Sequence, residues 1–293
     1  MRLLRFEDGG RAATGVRIGD AVVPVSALQG FPEDPTAILA GGAELRERLA
    51  VAAAASSARR PLAGLRRLMS VARPGKVVCI GLNYALHAKE GNNPIPDYPA
   101  VFLRVQSSLV GPDAPMLRPG CSTQFDYEAE LAVVIGRTAR CVTEDKALAH
   151  VGAYSLFNDG SIRDYQRKSS QWTMGKNFDA TGAFGPELVT PDELPPGAAP
   201  LRITSRVNGE TVQDSTTGDM IFPVARCIAI LSEVMTLEPG DVIATGTPSG
   251  VGYARKPPLF LAPGTTVLRS TPTRSTSTST VVPGARKSGG LRA

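Results

Sequence analysis

The stretch that decides the fold is Phe125-Asp126-Tyr127-Glu128-Ala129-Glu130-Leu131, continued by Ala132-Val133-Val134-Ile135 and closed by Gly136. An extended chain sends successive side chains to opposite faces. Asp126, Glu128 and Glu130 therefore point one way, while Tyr127, Ala129, Leu131 and Val133 point the other. Same-face neighbours on a strand lie about 7 Å apart, and carboxylates that close repel unless water, a proton or a cation relieves them. The stretch reads either as a solvated strand face or as a buried cation site. Acidic residues are poor strand formers, and Ala132 and Val134 extend the carboxylate face with apolar side chains. That continuation turns the face inward and favours an ion.

Upstream, Val77-Val78-Cys79-Ile80 is a short continuous apolar run of the kind a sheet buries. Gly81-Leu82-Asn83-Tyr84 ends it. Residues 85–90 suit a short helix that stops at Gly91-Asn92-Asn93-Pro94, and 101–104 suit a second strand. Downstream come a helix over 144–150, a strand over 152–157 ending at Asn158-Asp159-Gly160, and an irregular stretch over 167–190 of the length functional loops have. A hairpin at Asn208-Gly209, a helix over 221–235, a strand over 242–245 and a Gly-rich loop over 246–250 follow. That loop lacks the Lys and the helix of a phosphate-cradling P-loop. Residues 1–25 hold alternating apolar positions punctuated by Asp-Gly and Gly-Asp, which predict hairpins. Helices over 35–40 and 43–55 and a linker over 56–73 complete a small N-terminal domain ending near residue 70.

A chain of 293 residues with 42% hydrophobic content is long enough to bury a core. No run of 18 apolar residues is present, and Met1-Arg2-Leu3-Leu4-Arg5-Phe6-Glu7 lacks the apolar region of a signal peptide, so a cytoplasmic protein without a membrane partner is expected. Cys79, Cys121, Cys141 and Cys227 are scattered, with no C-x-x-C spacing for zinc, and read as reduced thiols. The formal charge of +5 sits in residues 265–293, where Arg269, Arg274, Arg286, Lys287 and Arg292 face no acid. Without those five, 27 basic groups meet 27 acidic ones, and a neutral body gives no footprint for nucleic acid. The same 29 residues hold twelve Ser or Thr and few large apolar side chains, a composition that predicts a disordered tail.

Asp159 follows a strand, where Asp-Gly by itself reads as a turn. With Glu128 and Glu130 it makes three carboxylates and no soft ligand, a set suited to magnesium, manganese or calcium rather than zinc or copper. His87 lies three residues before Glu90, on one face of a short helix. The pair is either a dyad in which the carboxylate orients the imidazole or a chance spacing. Lys176, between Gly175 and Asn177, is either a solvated cation or a charge-stabilising group over the carboxylates. His150, at a helix end, is assigned no role.

Taken together, Gly81-x-Asn83-Tyr84-x-x-His87-x-x-Glu90, Asp126-Tyr127-Glu128-x-Glu130-Leu131, Phe157-Asn158-Asp159 with Arg163-Asp164-x-Gln166, Gly175-Lys176-x-Phe178-Asp179 and Ala244-Thr245-Gly246-Thr247-Pro248-x-Gly250 resemble, in order and spacing, the fumarylacetoacetate hydrolase family. The resemblance covers residues 70–264, and residues 1–70 resemble the small N-terminal α/β domain of the longer bacterial members. It implies an α+β fold, a mixed, strongly curved β-sheet rolled into a sandwich-like barrel, in a homodimer. It implies that Glu128, Glu130 and Asp159 hold one Mg2+, with Mn2+ or Ca2+ as alternatives. His87, oriented by Glu90, would act as general base, Lys176 would sit over the substrate, and Arg163, Gln166 and Thr247 would hold substrate oxygens. The implied activity is hydrolysis of a carbon-carbon bond in an acylpyruvate-like or diketo acid, in aromatic-compound or sugar-acid catabolism. Decarboxylation or isomerisation of a related oxo acid, or silent ligand binding, are the alternatives. Two departures stand out: Ile80 occupies a position where members closest to the eponymous enzyme carry another Asp, and the Ser/Thr-rich sequence after Pro263-Gly264 replaces the final strands.

Overall fold

The computed structural model describes residues 1–270 and 276–283. At its centre is the strand Ala129–Ile135, buried at every residue. Leu131, Val133 and Ile135 pack in a core with Val224, Cys227, Ile228 and Leu231 of the helix Val224–Val234. Ala132 and Val134 share a second core with Ile38, Leu39, Leu49 and Ala53, from the helices Pro35–Ala40 and Gly42–Ala55. Both faces are covered, which is why the strand is apolar throughout beyond Glu130 instead of alternating.

The register sets where chemistry emerges. Ala129 lies opposite Asn158 of the antiparallel strand Val151–Asp159. On the other side Ala132 pairs with Ala244 of Val242–Ala244, which runs parallel to Val77–Gly81 with Ala244 beside Cys79. The start of the central strand therefore meets the ends of three neighbours, and polar side chains project there from a clamped apolar middle.

Among the described residues, twelve strands form one mixed sheet, ordered from Arg60–Pro61 at one edge to Ala100–Leu103 at the other. The protein is thus a sheet-rich α+β fold. Among the described residues that ladder does not close on itself, so its hydrogen bonds do not delineate the barrel expected from the resemblance. The expected hairpins are present as Arg2–Asp8, Arg11–Ile18 and Ala21–Pro24. They do not stand apart, however: Leu3 pairs with Leu188, and Leu3, Val16 and Val23 share a core cluster with Ala132 and Phe157. Both ladder and core cross the expected boundary near residue 70.

Two expectations are corrected. The acidic stretch is not one strand: Phe125–Asp126 pairs with Ser161–Ile162, Tyr127 and Glu128 leave the ladder, and pairing resumes at Ala129. Asp126 thereby parts from Glu128 and Glu130, because its carboxylate accepts from Arg163 Nε at 2.8 Å and from the Gly252 and Tyr253 N–H groups. Disorder from residue 265 onward is the second. Thr266–Ser270 pairs with Arg202–Val207 and with Thr276–Pro283, which pairs in parallel with Met116–Arg118. Pairing satisfies backbone groups whatever the side chains, Thr favours strands, and Val267 and Val281 supply fully buried anchors. Residues 271–275 and 284–293 of the expected tail lie outside the described residues.

Candidate active site

At the converging strand ends opens a cavity of ≈ 210 Å³. Glu128, Glu130 and Asp159 each place a carboxylate oxygen within 4.8 Å of the others, and all three residues are buried. The central strand delivers Glu130, its unpaired approach delivers Glu128, and the last residue of the neighbouring strand delivers Asp159.

Their surroundings make the three carboxylates unequal. Lys176 Nζ donates to Glu128 Oε2 at 2.7 Å and to Asp159 Oδ2 at 2.6 Å. Arg163 Nη2 lies 2.7 Å from Glu128 Oε1. Burial works to raise the Glu128 carboxyl, but Lys176 and then Arg163 outweigh it and hold the group down to about 2. Burial likewise works to lower the Lys176 ammonium, and Asp159 and Glu128 reverse it, so the ammonium stays charged. Arg104, itself buried, donates from Nη1 to Asp159 Oδ1, so a cation holds each oxygen of Asp159.

Glu130 is the exception. Among the described residues it has no salt bridge, and the Gly246 N–H donates to its Oε2 at 3.0 Å. Burial first, then the charges of Asp159 and Glu128, push its pKa well above the usual carboxylate range. An unpaired buried carboxylate beside two others is costly, and a hard dication with oxygen ligands fits that deficit. The donor set thus suits the ion expected from the sequence, though it does not select among magnesium, manganese and calcium.

Across the cavity, His87 Nδ1 lies 2.8 Å from Glu90 Oε1. The short helix Ala85–Glu90 puts the two on one side, three residues apart. A carboxylate only accepts, so Nδ1 carries the ring proton and Nε2 is left as the basic nitrogen. Glu90 Oε2 accepts the Gly250 N–H at 2.9 Å. Arg163 Nη1 donates to Gln166 Oε1 at 2.9 Å. The Thr247 hydroxyl donates to the Ala129 carbonyl at 3.0 Å and accepts from Gln213 Nε2 at 2.7 Å, so it braces the start of the central strand.

Eight of the nine residues singled out from the sequence line this cavity, and Glu90 stands behind His87. Lys176, expected over the substrate, lines the cavity with its ammonium between two carboxylates. Sequence reasoning missed Arg104, whose only signal was a basic residue closing an apolar run, and it gave Tyr253, Arg167 and Trp172 no place, although all three line the cavity.

The fumarylacetoacetate (FAA) hydrolase C-terminal family model matches residues 76–282. The chain is 47% identical over 201 residues to the human protein named oxaloacetate tautomerase FAHD2A, mitochondrial, a match covering 67% of this chain and 63% of that one. It therefore spans less than two thirds of the length of such relatives. Two solved structures align over 97% of this chain and 100% of their own. They are a fumarylacetoacetate hydrolase from psychrophilic Exiguobacterium antarcticum, at 37% identity and TM-score 0.85, and a maleylpyruvate hydrolase from Sphingobium sp. SYK-6 in complex with manganese(II) ion and pyruvate, at 30% and 0.81. With five motifs in register, a buried carboxylate triad and a family match across most of its length, this chain belongs to the fumarylacetoacetate hydrolase family.

Proposed function

We propose that this protein is an enzyme of small 2-oxo acids that works by proton transfer at the carbon beside the oxo group, its reaction being the keto-enol interconversion of an oxaloacetate-like diacid. The observation that carries the reading is the imidazole-carboxylate pair of His87 and Glu90 facing the Glu128, Glu130 and Asp159 cluster in one cavity. At ≈ 210 Å³ the cavity is smaller than the roughly 300–1,000 Å³ typical of drug-sized ligands, which suits a substrate of few heavy atoms. The name of the human relative supports the same choice.

Glu128, Glu130 and Asp159 would hold one dication, magnesium, manganese or calcium. Bound there, such an ion supplies a fixed positive charge that polarises the substrate's oxo and carboxylate oxygens. His87 Nε2 takes the proton from the carbon beside the oxo group, and the imidazolium, held by Glu90, returns one to the oxo oxygen. Lys176 bridges Glu128 and Asp159, Arg163 anchors Glu128 and Gln166, and Gln166 holds a substrate oxygen while Thr247 braces the strand beneath. A homodimer belongs to the same proposal, with the exposed Val101, Leu103, Val105 and Met174 as surface for a second copy.

Hydrolysis of a carbon-carbon bond in an acylpyruvate is the second reading, favoured because the His87 and Glu90 pair is equally suited to activating water. One assay set decides. Enol-oxaloacetate decay is followed by ultraviolet absorbance, and acetylpyruvate and fumarylpyruvate cleavage by pyruvate release, each with Mn2+ and with chelator. Chelator-sensitive enol decay without pyruvate release supports the tautomerase, and pyruvate release supports the hydrolase. No acceleration with any of the three sinks both.

A further inference from the structure

Two guanidinium groups lie against one aromatic ring at the cavity wall. Arg163 Cζ is 4.5 Å and Arg167 Cζ 4.4 Å from the centroid of Tyr253. The arrangement follows from local structure. Residues four apart on a helical turn share a side, and Arg167 N–H donates to the Arg163 carbonyl at the end of the turn Arg163–Gln166. Tyr253 is fixed in turn, because its backbone N–H donates to Asp126 Oδ2 at 3.0 Å.

The two cations have different duties. Arg163 is buried and committed to Asp126, Glu128 and Gln166. Lys176 is committed to Glu128 and Asp159. Arg167 is exposed and, among the described residues, forms no salt bridge, yet it lines the same cavity. Its neighbour Lys168 is turned onto the Tyr165 ring, 3.4 Å from the centroid. One cation with no acidic partner therefore borders the cavity, laid against a ring that limits its rotamers and leaves its N–H edge for a carboxylate.

We infer that Arg167, backed by Tyr253, is a specificity residue that binds the second carboxylate of a 2-oxo diacid. This deepens the function proposed above and rests on its 2-oxo acid reading. The carboxylate next to the oxo group is held at the inner cluster, and the distal one meets a guanidinium through charge-assisted hydrogen bonds. A substrate ending in an uncharged tail leaves Arg167 without that partner.

The test uses Trp172, the only tryptophan of the chain, which also lines the cavity. Its fluorescence reports equilibrium binding to the Mn2+-loaded protein without any turnover. The probes are 2-oxoglutarate and 2-oxopentanoate, matched in chain length and differing in the terminal carboxylate. The expected result is 2-oxoglutarate bound about tenfold tighter, which corresponds to about 1.4 kcal/mol. Arg167→Gln brings the two affinities within about twofold, Arg167→Lys keeps part of the preference, and Mn2+ affinity is the same in all three proteins. Equal affinities in the unsubstituted protein, an unchanged ratio in Arg167→Gln, or a parallel loss of Mn2+ binding overturns the inference. If oxaloacetate is not turned over while the binding ratio behaves as expected, the proposed reaction fails and the subsite stands.

Discussion

Arg104→Met removes a guanidinium that the structure holds in full burial, between Asp159 Oδ1, the Gly160 carbonyl at 3.1 Å and the Thr181 hydroxyl at 2.8 Å. Methionine approximates its volume, so the loss is charge and hydrogen bonding rather than packing. Removing one partner of a buried ion pair typically costs about 3–5 kcal/mol, because the other charge is stranded. Asp159 keeps Lys176 on its second oxygen, which puts the expected cost near the lower figure, about 3 kcal/mol. At about 2–4 °C per kcal/mol for chains of 150–250 residues, the melting temperature should fall by about 6–12 °C. The measurement belongs in chelator, so that ion binding to the folded state does not mask the loss. A double-mutant cycle with Asp159→Asn then isolates the pair. If neutralising Asp159 is the role of Arg104, the double variant is more stable than the two single losses imply, by about 1 kcal/mol or more. Melting of Arg104→Met within 2 °C of the parent, or losses that add to within about 0.5 kcal/mol, would refute the reasoning.

Three further outcomes are expected. Glu130→Gln keeps an acceptor for the Gly246 N–H and replaces a carboxyl whose ionisation burial already opposes, so melting in chelator holds or rises while calorimetric titration shows Mn2+ affinity lost by at least about a hundredfold; retained affinity contradicts the ligand assignment. Glu128 is held at about 2 in the fold against 4.5 as reference, so the unfolded chain takes up its proton first and the stability this group contributes above pH 4.5 is lost as pH falls toward 2. Urea titrations of Glu128→Gln should accordingly show a shallower decline than the parent across that window, and parallel curves would be the contrary result. Gly175→Ala drives a Cβ into the backbone of Gln166. A loss of about 1–3 kcal/mol is expected from such overpacking, with kcat/KM falling because the turn that carries Arg163 and Gln166 is displaced; unchanged melting would mean the turn yields freely.

The sequence made the carboxylates legible because their evidence is local. Glu130 precedes an apolar run with no polar relief, and that pattern has few physical solutions. His87 and Glu90 were likewise within one helical turn. Arg104 was not legible, since its partner Asp159 lies 55 positions away and nothing near it distinguishes a buried guanidinium from a surface one. Asp126 was misplaced by extending strand phase through Tyr127 and Glu128, where the ladder breaks. The Ser/Thr-rich segment was misread for a related reason. Composition measures how much core a segment can fill, whereas Thr266–Ser270 is held chiefly by backbone pairing on two sides and by Val267.

Glu90 divides its two oxygens between separate parts of the chain, one on the His87 ring and one on the Gly250 amide. The tautomer of the imidazole and the seating of the short helix against the Gly-rich loop are thereby a single mechanical variable, a clasp. A displaced helix would carry an imidazole free to take either tautomer, so an open site is also one without a fixed proton acceptor.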